Sequence, residues 1–562
     1  MTDSPKSPWD DKGWGPPTGG DHPYANGGHE GPPPLPPLVL GDVDPPLPPD
    51  EILQRYSART LDPVEALRLA GDDLRPTSYV GGSVLIPLSL LSDDELRRAA
   101  GEEAEKLGYR LRPDGRSLRT AAELARYADP ERGFDADFAV TVRIVPTGAI
   151  ATPPDAWVVL QRLRARLGRE RVAPLGLDHV VPAIRPAHEG VGLGEGGASA
   201  STGGSGYVLN GRTRVPAAVV LPRPARRPDD FFEASPDDER PVVAMLDSGC
   251  GEHPWLDGVV VTGILDAFGN VVGETDAATD PEVGGDITGP LDGGLDWIAG
   301  HGTFAAGLVH QACPDATILS ARVLHADGVA TESDLNLALQ QLLLLLLRFQ
   351  NGEGGRRIDV LSLSLGYYHE TAADALADGP LRRLLEAFGR RGVPVVAAAG
   401  NESTLREMFP AAFAPHAGTT PPPDVVPVVS VGAENPDGTI ALFSNSGDWV
   451  TTFAVGGLVL STLPTTMNAG SDAPARLVDP PTGRPRADVD PDGYASGFAL
   501  WSGTSFAAPI VAGRIAAELL RASLGGDSPL EPADPGSAVP RAWSAVSAVT
   551  GLTPRERVGT AS

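Results

Sequence analysis

The sequence predicts an α/β protein, a parallel sheet covered by helices on both faces and preceded by a small α+β amino-terminal domain. Past about residue 238, short apolar runs recur at Pro241-Val-Val-Ala-Met-Leu246, Thr317-Ile-Leu-Ser-Ala-Arg-Val323, Ile358-Asp-Val-Leu-Ser-Leu363 and Val393-Pro-Val-Val-Ala-Ala398. Helix-like segments separate several of them. Apolar strands alternating with helices mark a sheet buried on both faces. Upstream, between 51 and 189, strand and helix patterns alternate on a smaller scale.

Taken in order, residues 1–50 are dominated by Pro, Gly and Asp, including Gly31-Pro-Pro-Pro-Leu-Pro-Pro37. Such a segment buries too little apolar surface to offset its ordering entropy and reads as a disordered tail, the alternative being a Pro-rich ligand for a partner protein. In the 51–189 domain, Ser92-Asp-Asp-Glu-Leu-Arg-Arg starts a helix running towards Leu107, and Phe138 to Val145 alternates as a strand. Trp157 to Leu167 is an amphipathic helix, while Val180-Val181 and Ala217-Ala-Val-Val-Leu221 read as further strands. Residues 190–237, opening on the Gly/Ser/Ala-rich stretch Gly190 to Gly206, are a linker. The domain over 238–551 follows, then a tail over 552–562.

Forty-five Lys and Arg against 73 Asp and Glu give a formal charge of −28. That balance argues against nucleic acid, whose phosphates need concentrated positive charge, and fits a self-repelling surface. The most hydrophobic stretch, Leu342 to Leu347, lies within Leu335 to Phe349 and is broken by Gln340 and Gln341. It falls short of the roughly 20 residues of a membrane span and reads as a buried helix. With no signal-like apolar core at the amino terminus, a cytoplasmic location and no membrane partner are expected. Two cysteines, Cys250 and Cys313, are too few for a disulfide scaffold. Buried free thiols are the expectation in a reducing cytoplasm, a disulfide between the two being the alternative.

Four motifs of the second domain fit one mechanism. Met245-Leu-Asp247-Ser-Gly249 places a carboxylate immediately after a buried strand, where sheets present functional groups. Gly300-His301-Gly-Thr-Phe-Ala-Ala-Gly307 starts a small-residue helix on a histidine. Ala397-Ala-Ala-Gly-Asn401 ends a strand with an amide. Ser502-Gly-Thr-Ser505-Phe-Ala-Ala-Pro509 puts a serine at a helix start, with Pro509 expected near the first turn. Singly, each has a bland reading as a cap or a turn. Together, in the order Asp, His, Asn, Ser at the ends of alternating elements, they resemble the subtilisin-like serine peptidases, whose triad runs Asp, His, Ser along the chain. The resemblance covers roughly residues 238 to 551.

That resemblance implies a subtilisin-like parallel sheet and a serine endopeptidase acting on polypeptide. It implies that Asp247 orients His301, that His301 takes the proton of Ser505, and that Asn401 with the Ser505 N–H holds the oxyanion. Ser364, Leu365 and Gly366 resemble the family's substrate-binding strand, which pairs with an extended peptide. With Ala398, Ala399 and Gly400 they form the walls of the first specificity pocket, and small uncharged walls imply an apolar preference. Ile440 to Gly447 and Leu460 to Leu463 resemble strands that precede the serine helix. Phe304, Phe506, Ala508 and Ile510 depart from commoner family residues, but none is a proton or oxyanion donor. The chemistry requires no cofactor or metal. The passage Gln311-Ala-Cys-Pro-Asp-Ala lacks the longer calcium loop of many relatives. Asp276, Asp280, Glu282 and Asp286 leave a structural calcium open without a clear motif, a solvated loop being the simpler reading.

A catalytically degenerate peptidase fold serving as a binding module is disfavoured because all three triad residues and Asn401 are present. A sedolisin-like acid peptidase is disfavoured by Gly300-His301-Gly302. Without a signal-like segment, general extracellular digestion fits poorly, and a regulated or dedicated processing protease is expected. Its 51–189 domain is either a propeptide, released by self-cleavage between about 190 and 237, or an attached domain that binds substrates or a partner protein.

Overall fold

The computed structural model describes residues 40–555 apart from 70–72, 131–132, 149–151, 185–213, 219, 234–238, 290, 292, 372–378, 468, 471–476, 487–493, 527 and 531–533. Most of the expected Pro-rich tail and the Gly190 to Gly206 stretch lie outside the described residues.

Seven parallel strands form the larger sheet, in the order β14 (Thr452–Val455), β13 (Val428–Glu434), β12 (Val395–Ala398), β11 (Val360–Leu363), β7 (Val242–Asp247), β9 (Thr317–Arg322) and β8 (Val260–Val261). β11 and β12 are buried at every position, as a sheet covered on both faces requires. The helix His301–Ala312 packs on the helix Thr504–Leu524, which crosses β11, β12 and β13. Their approach depends on small residues: a Cβ at Gly513 would lie 2.6 Å from that of Ala312. The helices Glu332–Gln350 and Pro380–Arg390 pack on each other. The leucine run is the buried core of the first, and its two glutamines are paired, Gln340 Nε2 donating to the Ala139 carbonyl and Gln341 Nε2 to Asp266. No helix of the described residues is long and apolar enough to cross a membrane.

The smaller sheet is antiparallel. Its strands run β10 (Val329–Thr331), β5 (Gly176–Pro182), β2 (Thr77–Pro87), β4 (Ala139–Pro146), β3 (Tyr109–Pro113), with β1 (Ala58–Leu61) beside β2. The helices Asp94–Lys106 and Ala156–Leu167 follow β2 and β4 and are capped by Asp93 and Asp155, whose carboxylates accept from first-turn N–H groups. They bury Leu96, Ala99, Trp157 and Leu160 against the sheet. The result is a split βαβ arrangement. This layer does not stand apart from the larger one. β10 belongs to the chain of the second domain, and Leu124, Phe134, Phe138 and Val181 sit in the core cluster of the parallel sheet.

Several expectations shift. Residues 40–49, read as tail, are held at their described end: the Thr404 hydroxyl donates to the Val43 carbonyl, and Asp44 pairs with Arg75 and Arg406. The strand expected at Ala217 to Leu221 is instead β6 (Val215–Pro216), inside the expected linker, which pairs with β18 (Phe498–Trp501), itself beside β15 (Val459–Thr462). Val220 is exposed and has no strand partner, which removes the reason for a strand there. A short hairpin, β16 (Leu477–Val478) and β17 (Pro485–Arg486), precedes β18. Residues 441–447 form turns rather than a strand, where the buried Asn445 side chain bonds other segments, Ala399 and Glu402, as described below.

Candidate active site

β7, β11 and β12 are neighbours in the sheet, so their carboxyl ends bring Asp247, Ser364 and Asn401 to one edge. Asp247 is the last residue of β7 and is 2% exposed. Its Oδ1 accepts from the Ser248 N–H and from His301 Nδ1, each at 2.7 Å. This fixes the imidazole with Nδ1 protonated and Nε2 as the basic nitrogen. His301 opens its helix after Gly300, which has φ +77.

The helix start beneath His301 is held by a residue whose role sequence reasoning missed. Glu282, expected in a solvated loop, is 1% exposed. It accepts from the Ser248 hydroxyl at 2.5 Å, from the Gly302 N–H at 3.0 Å and from the Thr303 hydroxyl at 2.5 Å. A carboxylate on helix N–H groups answers both their unmet donors and the positive end of the helix. Burial nevertheless pushes its carboxyl above the usual range, against the lowering effect of these hydrogen bonds. The other acidic residues of that run serve turns: Asp276 caps Ala278, Asp280 accepts from the Glu282 N–H, and Asp286 accepts from the Gly293 N–H.

Aromatic rings enclose the imidazole. Phe506 lies 5.1 Å and Trp501 5.6 Å from it, centroid to centroid, and Phe304 packs on Phe506 at 4.6 Å. The two departures Phe304 and Phe506 are therefore one packing unit. Neither offers a hydrogen-bonding group to His301.

Ser505 is the second residue of the helix Thr504–Leu524 and is 1% exposed. Its hydroxyl donates to the carbonyl of Ile184 at 3.4 Å. His301 Nε2 has no hydrogen-bond partner among the described residues. The structure thus joins Asp247 to His301 and turns the Ser505 hydroxyl towards Ile184. Pro509 sits in the second turn of this helix rather than the first. Its missing N–H would have bonded the carbonyl of Ser505 four residues earlier. The Ser364 hydroxyl supplies that donor instead, at 3.0 Å.

Asn401 follows β12. Its Oδ1 accepts from the N–H and the hydroxyl of Thr504, both at 2.9 Å. This holds the amide so that its nitrogen lies toward Gly503, where a Cβ would meet Nδ2 at 3.2 Å. Gly400 has φ +110, and a side chain there would strike Asn445 Nδ2 at 2.1 Å. Asn445, in the 441–447 turns, donates to the Ala399 carbonyl and to Glu402, and accepts from the Glu402 N–H. Glu402 also accepts from the Tyr368 hydroxyl and the Asn401 N–H. Burial raises its carboxyl too. Asn445, Glu402 and Tyr368 carry no motif of their own, and only their pairing across 43 and 34 positions reveals them.

The expected substrate-binding strand is occupied by the chain itself. Gly366 N–H donates to the Pro182 carbonyl at 3.2 Å, Ile184 N–H to the Ser364 carbonyl at 3.5 Å, and Leu365 bridges Ala183 in antiparallel register. On the other side, Ala183 N–H donates to the Gly328 carbonyl at 2.7 Å. Residues 182–184 are therefore a middle strand between two segments of the larger domain. Ala398 and Ala399 are fully buried. Cys250 and Cys313 are free thiols, and burial raises both, Cys313 to about 12, away from the thiolate a nucleophile needs.

The chain is 26% identical over 223 residues to the serine protease AprX of Bacillus subtilis, covering 37% of this chain and 43% of that one. It is 27% identical over 232 residues to a thermophilic serine proteinase of Bacillus sp. (strain AK1), covering 39% and 45%. To a cuticle-degrading serine protease of Orbilia oligospora it is 28% identical over 249 residues, covering 44% and 45%. The chain thus spans less than half the length of these curated relatives. Among solved structures, a cold-adapted subtilisin-like serine proteinase aligns at 22% identity and a TM-score of 0.32 over 54% of this chain and 81% of that one. A lanthipeptide protease aligns at 21% and 0.35 over 54% and 79%. The model of the subtilase family, peptidase S8, matches residues 238–529, just over half the chain, and the chain belongs to that family.

Proposed function

We propose that the protein is a serine endopeptidase that cleaves polypeptides through an acyl-enzyme, and that its first substrate is its own chain. Ser505 attacks a peptide carbonyl carbon while His301 Nε2 takes the hydroxyl proton, and Asp247 stabilises the imidazolium. The tetrahedral oxyanion is held by Asn401 Nδ2 and the Ser505 N–H. As the C–N bond breaks, His301 returns the proton to the leaving amine, and water then hydrolyses the ester by the reverse path. No metal or cofactor enters a step.

The observation that carries this reading is the Ser505 hydroxyl 3.4 Å from the carbonyl oxygen of Ile184, on a segment paired with Ser364 to Gly366 as a peptide substrate would be. The carbonyl presented is that of Ile184, so the cut is proposed to follow Ile184, ahead of the 190–237 interval expected from composition. An apolar residue at that position suits the small walls of Ala398, Ala399 and Gly400. With its cleft filled by residues 182–184, the enzyme starts blocked, which supports a regulated or processing role and a propeptide-like part for the amino-terminal layer.

Intact mass spectrometry tests this. The parent chain should part between Ile184 and Arg185, and Ser505→Ala should remain whole, with turnover on peptides lower by about 10⁶-fold, the scale of the corresponding loss in subtilisin, a member of the same family. Cleavage of Ser505→Ala at that bond would remove Ser505 as the nucleophile. A parent chain that stays whole yet hydrolyses peptides freely would leave the amino-terminal layer as a permanent, substrate-selecting domain.

A further inference from the structure

A second cluster of chemistry-bearing side chains lies where the two layers meet, and the peptidase reading does not use it. His179, on β5, is buried. Its Nδ1 lies 2.6 Å from Glu332 and its Nε2 3.0 Å from Glu370, both buried carboxylates of the larger domain. His369 turns a buried Nδ1 toward the same place. That atom has no hydrogen-bond partner among the described residues and lies 3.7 Å from the Glu370 oxygen that faces His179. Ligand atoms of His179, His369 and Glu370 all fall within 4.8 Å of one another. Tyr367 stacks on the His179 ring at 4.4 Å, and these groups line one cavity.

We propose that His179, His369 and Glu370 bind a Zn²⁺ ion that staples the amino-terminal layer to the peptidase domain. Two imidazoles and a carboxylate are a donor set zinc takes readily. Zinc ligands at about 2.0–2.1 Å in tetrahedral array lie about 3.3 Å apart, and the separations of 3.0 and 3.7 Å fall on either side of that value. Glu332 has the place of an outer-shell carboxylate: by accepting from Nδ1 it directs Nε2 of His179 at the ion, the usual arrangement of a metal-bound histidine. The buried Nδ1 of His369, with no hydrogen bond among the described residues, is what a structural ion pair between His179 and the two glutamates leaves unexplained. On binding, the ion takes the lone pair of His179 Nε2, and any proton held there leaves to solvent.

The position gives the site its consequence. His179 is five residues before Ile184, and His369 and Glu370 follow Gly366 by three and four. The ion would tie both strands of the occupied cleft together just beyond their pairing. That consequence rests on the peptidase reading, whereas the site does not.

The test is direct binding to the full-length Ser505→Ala chain, stripped with chelator and titrated with Zn²⁺ by calorimetry, with Co²⁺ as a spectroscopic probe. One ion per chain is expected, with visible Co²⁺ absorption typical of a low-coordinate nitrogen and oxygen site. His369→Asn and Glu332→Gln should each weaken binding by about 10–100-fold. Because His179→Ala could disturb the docking of the layers, His369→Asn, at the partly exposed edge, is the deciding variant. No stoichiometric ion on the parent, or undiminished binding by a folded His369→Asn, would overturn the site whatever the outcome for catalysis.

Discussion

The two sheets supply the site with different kinds of groups. From the parallel sheet and its helices come side chains: Asp247 at the end of β7, Asn401 after β12, and His301 and Ser505 at helix starts. From the antiparallel sheet comes backbone: the carbonyls and N–H groups of Pro182, Ala183 and Ile184, laid between Ser364–Gly366 and Gly328. Proton transfer and charge stabilisation need particular functional groups, whereas filling a cleft needs an extended strand with a tolerable side chain. The first contribution leaves marks in a sequence and the second leaves almost none.

Breaking the side-chain half should have the larger effect. On the proposed mechanism Asn401→Ala removes an oxyanion donor, so kcat should fall by about 10²–10³ with KM nearly unchanged, again the magnitude of the corresponding loss in subtilisin. Steady-state kinetics on a peptide substrate checks this. Near-normal kcat would reduce Asn401 to a cap on Thr504. Breaking the backbone half at Ile184 should cost less. Ile184 is 3% exposed, and a carboxylate there would be desolvated without a partner. Ile184→Asp should slow parting of the 184–185 bond by about 10–100-fold, while Ile184→Val, still apolar, should stay within a few-fold of the parent. A time course of intact mass reads both. Equal rates for Asp and Ile would mean that the pocket is not apolar.

The same contrast explains what was legible beforehand. β7, β9, β11 and β12, the leucine helix and the capped helices of the smaller layer follow from periodicity and apolar runs, because burial on both faces or on one writes those patterns directly. Ala217 to Leu221 looked like a strand because β-branched residues suit one, but pairing requires a neighbour, and β18 meets Val215–Pro216 instead. Glu282 read as part of a solvated acidic run because sequence gives no sign that the Gly302 and Thr303 N–H groups lie above it. Asn445 and Glu402 were silent for a like reason, and the 182–184 strand is specified by position alone. The cues for the four mechanistic residues were their motifs at element ends. For the residues that brace them there was no cue short of the fold.

The smallest effect probes a place where the two kinds of group substitute for one another. Pro509 deprives the Ser505 carbonyl of its helical donor, and the Ser364 hydroxyl replaces it at 3.0 Å. Ser364→Ala leaves that buried carbonyl unpaired and should lower stability by about 1–3 kcal/mol. It should disturb catalysis less than Asn401→Ala, since Ser364 bonds the backbone of Ser505 and not its reacting oxygen. Pro509→Ala restores an N–H in register with the carbonyl. In that background the loss of the Ser364 hydroxyl should cost about 1 kcal/mol less, so denaturant unfolding of the four proteins should show coupling of that size. Strict additivity would mean that Ser364 and Pro509 act separately. The coupling, if found, would show that the substrate strand is tied to the nucleophile's helix through the backbone, which is how an occupant paired with Ser364 to Gly366 could stay in register with Ser505.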